Sequence, residues 1–78
     1  MESKNEKFIR LAEARVNSVI QKIQLIGNLS NRRNYDYSEK EVNELFKAIE
    51  LELQRAKKLF EVEVSKENSK FRFSKKGE

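Results

Sequence analysis

Residues 27 to 42 read Gly27-Asn28-Leu29-Ser30-Asn31-Arg32-Arg33-Asn34-Tyr35-Asp36-Tyr37-Ser38-Glu39-Lys40-Glu41-Val42. The stretch combines a helix stop, a polar connection and a helix start. Ser38 and Glu41 have the Ser-x-x-Glu spacing of a capping box. Tyr37 stands just before the cap, at the spacing from Val42 that makes a hydrophobic staple. A helix therefore begins at Glu39. On the other side, Gly27 suits the left-handed backbone conformation that closes many helices, in which the N–H groups following the helix reach the carbonyls of its last turn. The preceding helix is expected to end at Ile26.

Working outward toward the N-terminus, Ile9, Ala12, Val16, Val19, Ile23 and Ile26 recur at alternating spacings of three and four and form one seam along a helix. Phe8, Leu11, Ile20 and Leu25 widen the seam into a stripe. Ser3 and Glu6 repeat the capping-box spacing, so the first helix is predicted over 4–26. Toward the C-terminus, Val42, Leu45, Ile49, Leu53, Ala56 and Phe60 carry a similar pattern, with Phe46 and Leu59 beside it. The second helix is predicted over 39–61, and Lys57 and Lys58 in its last turns suit the helix dipole.

After Phe60 the pattern changes. Val62 and Val64 alternate with Glu61 and Glu63, and Phe71 and Phe73 alternate with Lys70, Arg72 and Ser74, with Lys66-Glu67-Asn68-Ser69 between them. This is the spacing of a small β-hairpin over 62–74. The alternative is a helix that continues to Val64 and gives way to a tail. The fold expected is all-α: an antiparallel two-helix hairpin, with a helical domain over 1–64 and a basic aromatic tail over 65–78. Each helix has a stripe wider than one facing helix covers, so a dimeric four-helix bundle is the expected assembly.

Composition restricts function more than it defines it. The chain has 78 residues, no cysteine, no histidine and no proline, and 38% of its residues are charged. Disulfides, thiolate or imidazole metal sites and the usual nucleophile and base pairings are excluded. No cofactor, metal or enzymatic activity is expected. No apolar run approaches the roughly 18 residues of a membrane span, and Met1 to Lys7 lacks a signal-peptide core. A cytoplasmic protein is expected, without a membrane partner. The net charge of +4 is unevenly distributed. Residues 1–38 carry +3, residues 39–63 carry −2 and residues 64–78 carry +3. A polyanion would meet the first helix, the connection or the tail.

Two groups of residues are candidates for binding. In the connection, Arg32 and Arg33 offer planar donors to phosphate or carboxylate, Tyr35 offers a ring to an unpaired base, and Asn34 offers hydrogen bonds to a base edge. In the tail, Lys70, Arg72, Phe73, Lys75 and Lys76 interleave charge with an aromatic ring, a pattern suited to phosphates and base stacking. Against these stands a simpler reading, in which the asparagines and Ser30 only build local turns and the tail only solubilises.

The run Ile26-Gly27-Asn28-Leu29-Ser30-Asn31-Arg32, then Asn34-Tyr35 and Tyr37, followed by an acidic amphipathic helix, resembles a group of short helical proteins encoded on mobile elements of Gram-positive bacteria. The resemblance extends from Phe8 to Phe60 and leaves out Arg33 and the tail. It implies a plasmid, conjugative-element or phage setting and no enzymatic activity. A non-catalytic module that engages nucleic acid, or a nucleic-acid–protein complex, is therefore the expected function. The same setting suggests an alternative, a small inhibitor of a host defence nuclease of the anti-CRISPR or anti-restriction type. It would act through Glu44, Glu50 and Glu52 of the acidic helix. A structural dimerisation unit is the third possibility.

Overall fold

The computed structural model describes residues 1–69, with side chains described through Lys66. It is all-α. Helix α1 spans Lys4–Asn28 and helix α2 spans Glu39–Ser69, and there is no strand among the described residues. The chain divides into two units, Met1–Tyr37 and Ser38–Glu78, each built on one of the helices.

In the first unit, Ser3 caps α1 from an extended conformation. Its hydroxyl accepts from the Glu6 N–H at 3.0 Å, and its own N–H donates to the Glu6 carboxylate at 2.8 Å. The reciprocal box satisfies two N–H groups that have no partner within the helix. A second clamp holds the same end. Arg10 Nε and Nη2 donate to the two carboxylate oxygens of Glu2 at 2.7 and 3.0 Å. That hydrogen bonding lowers the pKa of the Glu2 carboxyl and raises that of the Arg10 guanidinium.

The C-terminal end of α1 differs from the expectation. The helix runs through Gly27 to Asn28, two residues past Ile26. Leu29 is the cap, at φ −71° and ψ −7°, and so remains in the right-handed region. The Leu29 N–H donates to the Ile26 carbonyl and the Ser30 N–H to the Gly27 carbonyl, each at 3.0 Å. These tightened bonds occupy the last carbonyls without any left-handed residue, so the glycine is not needed for termination.

In the second unit, the predicted cap of α2 is present. The Glu41 N–H donates to the Ser38 hydroxyl at 3.1 Å, and the Ser38 N–H donates to the Glu41 carboxylate at 2.8 Å. The far end requires a correction. Helix α2 does not stop at Glu61 or Val64 but continues to Ser69, so Val62 and Val64 lie on a helix and do not begin a hairpin. A strand at Glu61-Val62-Glu63-Val64 would need a paired neighbour for its N–H and C=O groups, whereas helix continuation satisfies them internally. An ion pair from Lys66 to Glu63 at 3.2 Å, three residues apart, adds a local contribution. The second predicted strand, around Phe71 and Phe73, lies outside the described residues.

Neither helix has a closed core. No described residue is buried. The half-buried positions are Leu11, Ala12, Ile26 and Tyr37 in the first unit and Val42, Leu45 and Ile49 in the second. All but Tyr37 belong to the two apolar stripes read from the sequence. Among the described residues, no helix is long and apolar enough to cross a membrane.

Candidate functional site

The connection between the helices is folded, and its organising residue is Asn31. The Asn31 side-chain oxygen accepts from the Arg33 N–H at 3.0 Å, an Asx turn. The Asn31 carbonyl accepts from both the Asn34 and the Tyr35 N–H groups at 3.1 Å. Three consecutive N–H groups thus converge on one asparagine. Such a turn forms here because asparagine presents a side-chain acceptor that imitates the backbone, and because a chain leaving a helix still has N–H groups to satisfy.

Tyr37 closes the loop. Its phenol donates to the Ser30 carbonyl at 2.7 Å, bridging seven residues back to the end of α1. Arg32 lies over its ring, with the guanidinium carbon 4.1 Å from the centroid. The same guanidinium makes a long contact of 3.4 Å from Nη1 to the Tyr37 carbonyl. Tyr37 is half-buried, whereas Tyr35 remains 48% exposed.

These contacts divide the four loop candidates. Arg32 is engaged within its own loop, stacked on Tyr37, and its donors are in part directed inward. Arg33 has its backbone fixed by Asn31, and its side chain makes no hydrogen bond or ion pair with any described residue. Asn34 likewise contributes its backbone to the turn and leaves its amide exposed. Tyr35 presents its ring to solvent. All four are exposed, but Arg32 is the one whose side chain is engaged within the loop, on Tyr37. Leu29 is the α1 cap and is 46% exposed.

The chain has no match among known protein families, curated proteins or solved structures.

The remaining candidates are placed less favourably. Glu44, Glu50 and Glu52 all lie on α2, but at 3.6 residues per turn Glu50 and Glu52 point about 160° apart. Glu52 is also paired with Arg55 at 2.5 Å. The helix does not collect the three carboxylates on one face. Lys70, Arg72, Phe73, Lys75 and Lys76 lie outside the described residues. No group of three or more acidic, cysteine or histidine side chains that could hold a metal ion occurs among the described residues.

The role of Tyr37 as a loop latch is the functional detail that sequence reasoning missed. Its spacing to Ser38 and Val42 identifies it as a residue at a helix start. The residues it engages, Ser30 and Arg32, lie seven and five positions earlier within an irregular connection, where neither helix nor strand periodicity applies.

Proposed function

We propose that this protein is a non-catalytic binding module that engages nucleic acid, or a nucleic-acid–protein complex, through the connection between its helices and its basic C-terminal residues. The observation that carries this reading is the Asn31-centred turn, which leaves a guanidinium and an aromatic ring two residues apart and exposed. A guanidinium meets phosphate with fixed planar donors, and an exposed ring gives a base a surface to stack on. The charge distribution along the sequence supports the same reading, since residues 1–38 carry +3 and residues 64–78 a further +3. The mobile-element setting implied by the sequence resemblance agrees with such a role.

The protein acts in this reading as a homodimer. Ile9, Val16, Val19 and Ile23 on the α1 seam are 41–55% exposed. Complete burial of such side chains is worth roughly 1.5–3 kcal/mol each. Covering the exposed half of these four with a second copy contributes about 3–6 kcal/mol per protomer as an upper bound. A chain with no buried residue among those described has reason to use that contribution.

The inhibitor alternative, in which α2 mimics nucleic acid, is less well supported because Glu50 and Glu52 are on opposing sides of the helix. Electrophoretic titration with DNA and with RNA at two salt concentrations tests the preferred reading. Affinity that falls steeply with salt supports phosphate recognition. Absence of binding to either polymer at low salt defeats it.

A further inference from the structure

We propose that the connection takes an unpaired nucleotide, with its base stacked on Tyr35 and its phosphate held by Arg33, while Arg32 acts as a positioning residue. This inference rests on the nucleic-acid reading above and adds to it the class of ligand and the division of labour between the arginines.

Loops that bind phosphate often do so with successive backbone N–H groups. Here the N–H groups of Arg33, Asn34 and Tyr35 all donate to Asn31, so this part of the loop has no free amides to offer. A phosphate at this turn must be met by side chains. Arg32, although exposed, stacks on the Tyr37 ring with its guanidinium 4.1 Å from the ring centroid, so turning it toward a phosphate would give up that contact. Arg33, with no hydrogen bond or ion pair from its side chain to any described residue, is the available donor.

Tyr35 is 48% exposed, and its backbone is fixed by the bond from its N–H to Asn31, so the ring is presented from a rigid base without being a folded lid. Reading a duplex from its major groove calls for a helix or a two-stranded ribbon that enters the groove. The connection of ten residues from Leu29 to Ser38, with its exposed ring and guanidinium, lacks such an element. An unpaired base, free to leave its stack and lie on a ring, fits this geometry. The exposed Asn34 amide lies between the two groups in sequence and is suited to a base edge.

Over Tyr37, whose phenol is bonded to the Ser30 carbonyl, Arg32 holds the two ends of the turn together. Its loss alters the presentation of Arg33 and Tyr35 without removing a phosphate contact.

Fluorescence anisotropy with the full chain tests this. The probes are a labelled twelve-nucleotide oligothymidylate, a labelled oligouridylate of the same length and a labelled DNA duplex of that length, each over a range of salt. Wild type is expected to bind the single strands more tightly than the duplex. Tyr35→Phe retains that preference, and Tyr35→Ala weakens single-strand binding by roughly 5- to 150-fold. Arg33→Ala weakens binding and reduces the slope of log affinity against log salt by about 0.7. Arg32→Ala weakens binding but leaves that slope unchanged, a result that a phosphate-contacting arginine does not give. Circular dichroism of each variant establishes that the helices are retained. Equal binding of duplex and single strand, equal behaviour of Tyr35→Ala and Tyr35→Phe, or a reduced slope in Arg32→Ala overturns the inference while leaving nucleic-acid binding in place. Absence of binding to every probe at low salt overturns both.

Discussion

Removing Arg32 and Tyr37 singly and together measures the latch that shapes the connection. Tyr37→Ala deletes two interactions. The phenol bond to the Ser30 carbonyl, at 2.7 Å, is worth about 0.5–1.5 kcal/mol net. The guanidinium over the ring, at 4.1 Å, is worth about 0.5–1 kcal/mol at an exposed site. The variant is therefore expected to lose about 1–2.5 kcal/mol. Arg32→Ala loses chiefly the stacking, about 0.5–1 kcal/mol, because its 3.4 Å contact to the Tyr37 carbonyl is long for a hydrogen bond. Tyr37→Phe keeps the ring beneath Arg32 and loses only the phenol bond. The two alanine replacements share one interaction, so the double variant should be less destabilised than the sum of the singles by about 0.5–1 kcal/mol. Thermal unfolding followed by circular dichroism at one fixed protein concentration resolves this. A change of ~1 kcal/mol moves Tm by roughly 4–8 °C in a domain of this size. If the single effects add to within about 0.3 kcal/mol, Arg32 and Tyr37 are not energetically coupled and the latch argument fails.

Gly27→Ala is expected to stabilise the protein by about 0.5–1 kcal/mol and to raise its helical ellipticity. Gly27 is inside α1, and a Cβ there meets nothing within 4 Å. A fall in Tm would show that Gly27 needs a conformation closed to alanine. Ser38→Ala removes the hydroxyl that accepts the Glu41 N–H at 3.1 Å, and should cost about 1 kcal/mol, read as a lowered unfolding midpoint in urea. The Glu2–Arg10 pair should make the first turn of α1 sensitive to acid. Because the folded-state pKa of Glu2 is lowered, the stabilisation is present above the ordinary carboxylate value and is lost as pH falls through the depressed one. Hydrogen exchange at Lys7 and Phe8 should therefore accelerate in that acid range, and Glu2→Gln should remove the dependence. Val16→Asp on the exposed α1 seam should shift sedimentation from dimer toward monomer, and an unchanged sedimentation coefficient would argue against a second copy on that face.

Much of the fold follows from local chemistry. Ser3 with Glu6 and Ser38 with Glu41 set the helix starts, since a short hydroxyl side chain followed by a carboxylate satisfies N–H groups within four residues. The stripes from Ile9 to Ile26 and from Val42 to Phe60 set helical periodicity in the same way, through spacings of three and four residues. The helix ends were less legible. Gly27 permits a left-handed stop without requiring one, and the chain instead closes α1 through right-handed Leu29. Glu61-Val62-Glu63-Val64 alternates like a strand, but alternation forms a strand only when a neighbour supplies its hydrogen bonds, and helix continuation needs none.

The sequence by itself determined that the chain is helical, where its helices start, and which residue types gather between them. Only the three-dimensional structure decided how the two loop arginines differ. Adjacent in sequence and identical in chemistry, Arg32 and Arg33 are separated by what surrounds them. Arg32 lies against a ring five residues later, held by a phenol bonded seven residues back, while the Arg33 side chain is exposed and makes no hydrogen bond or ion pair with any described residue. Contacts at such separations depend on the closed path of the whole loop, which no periodicity or cap motif encodes. The feature on which the proposed binding rests is therefore the one that the sequence could name but not arrange.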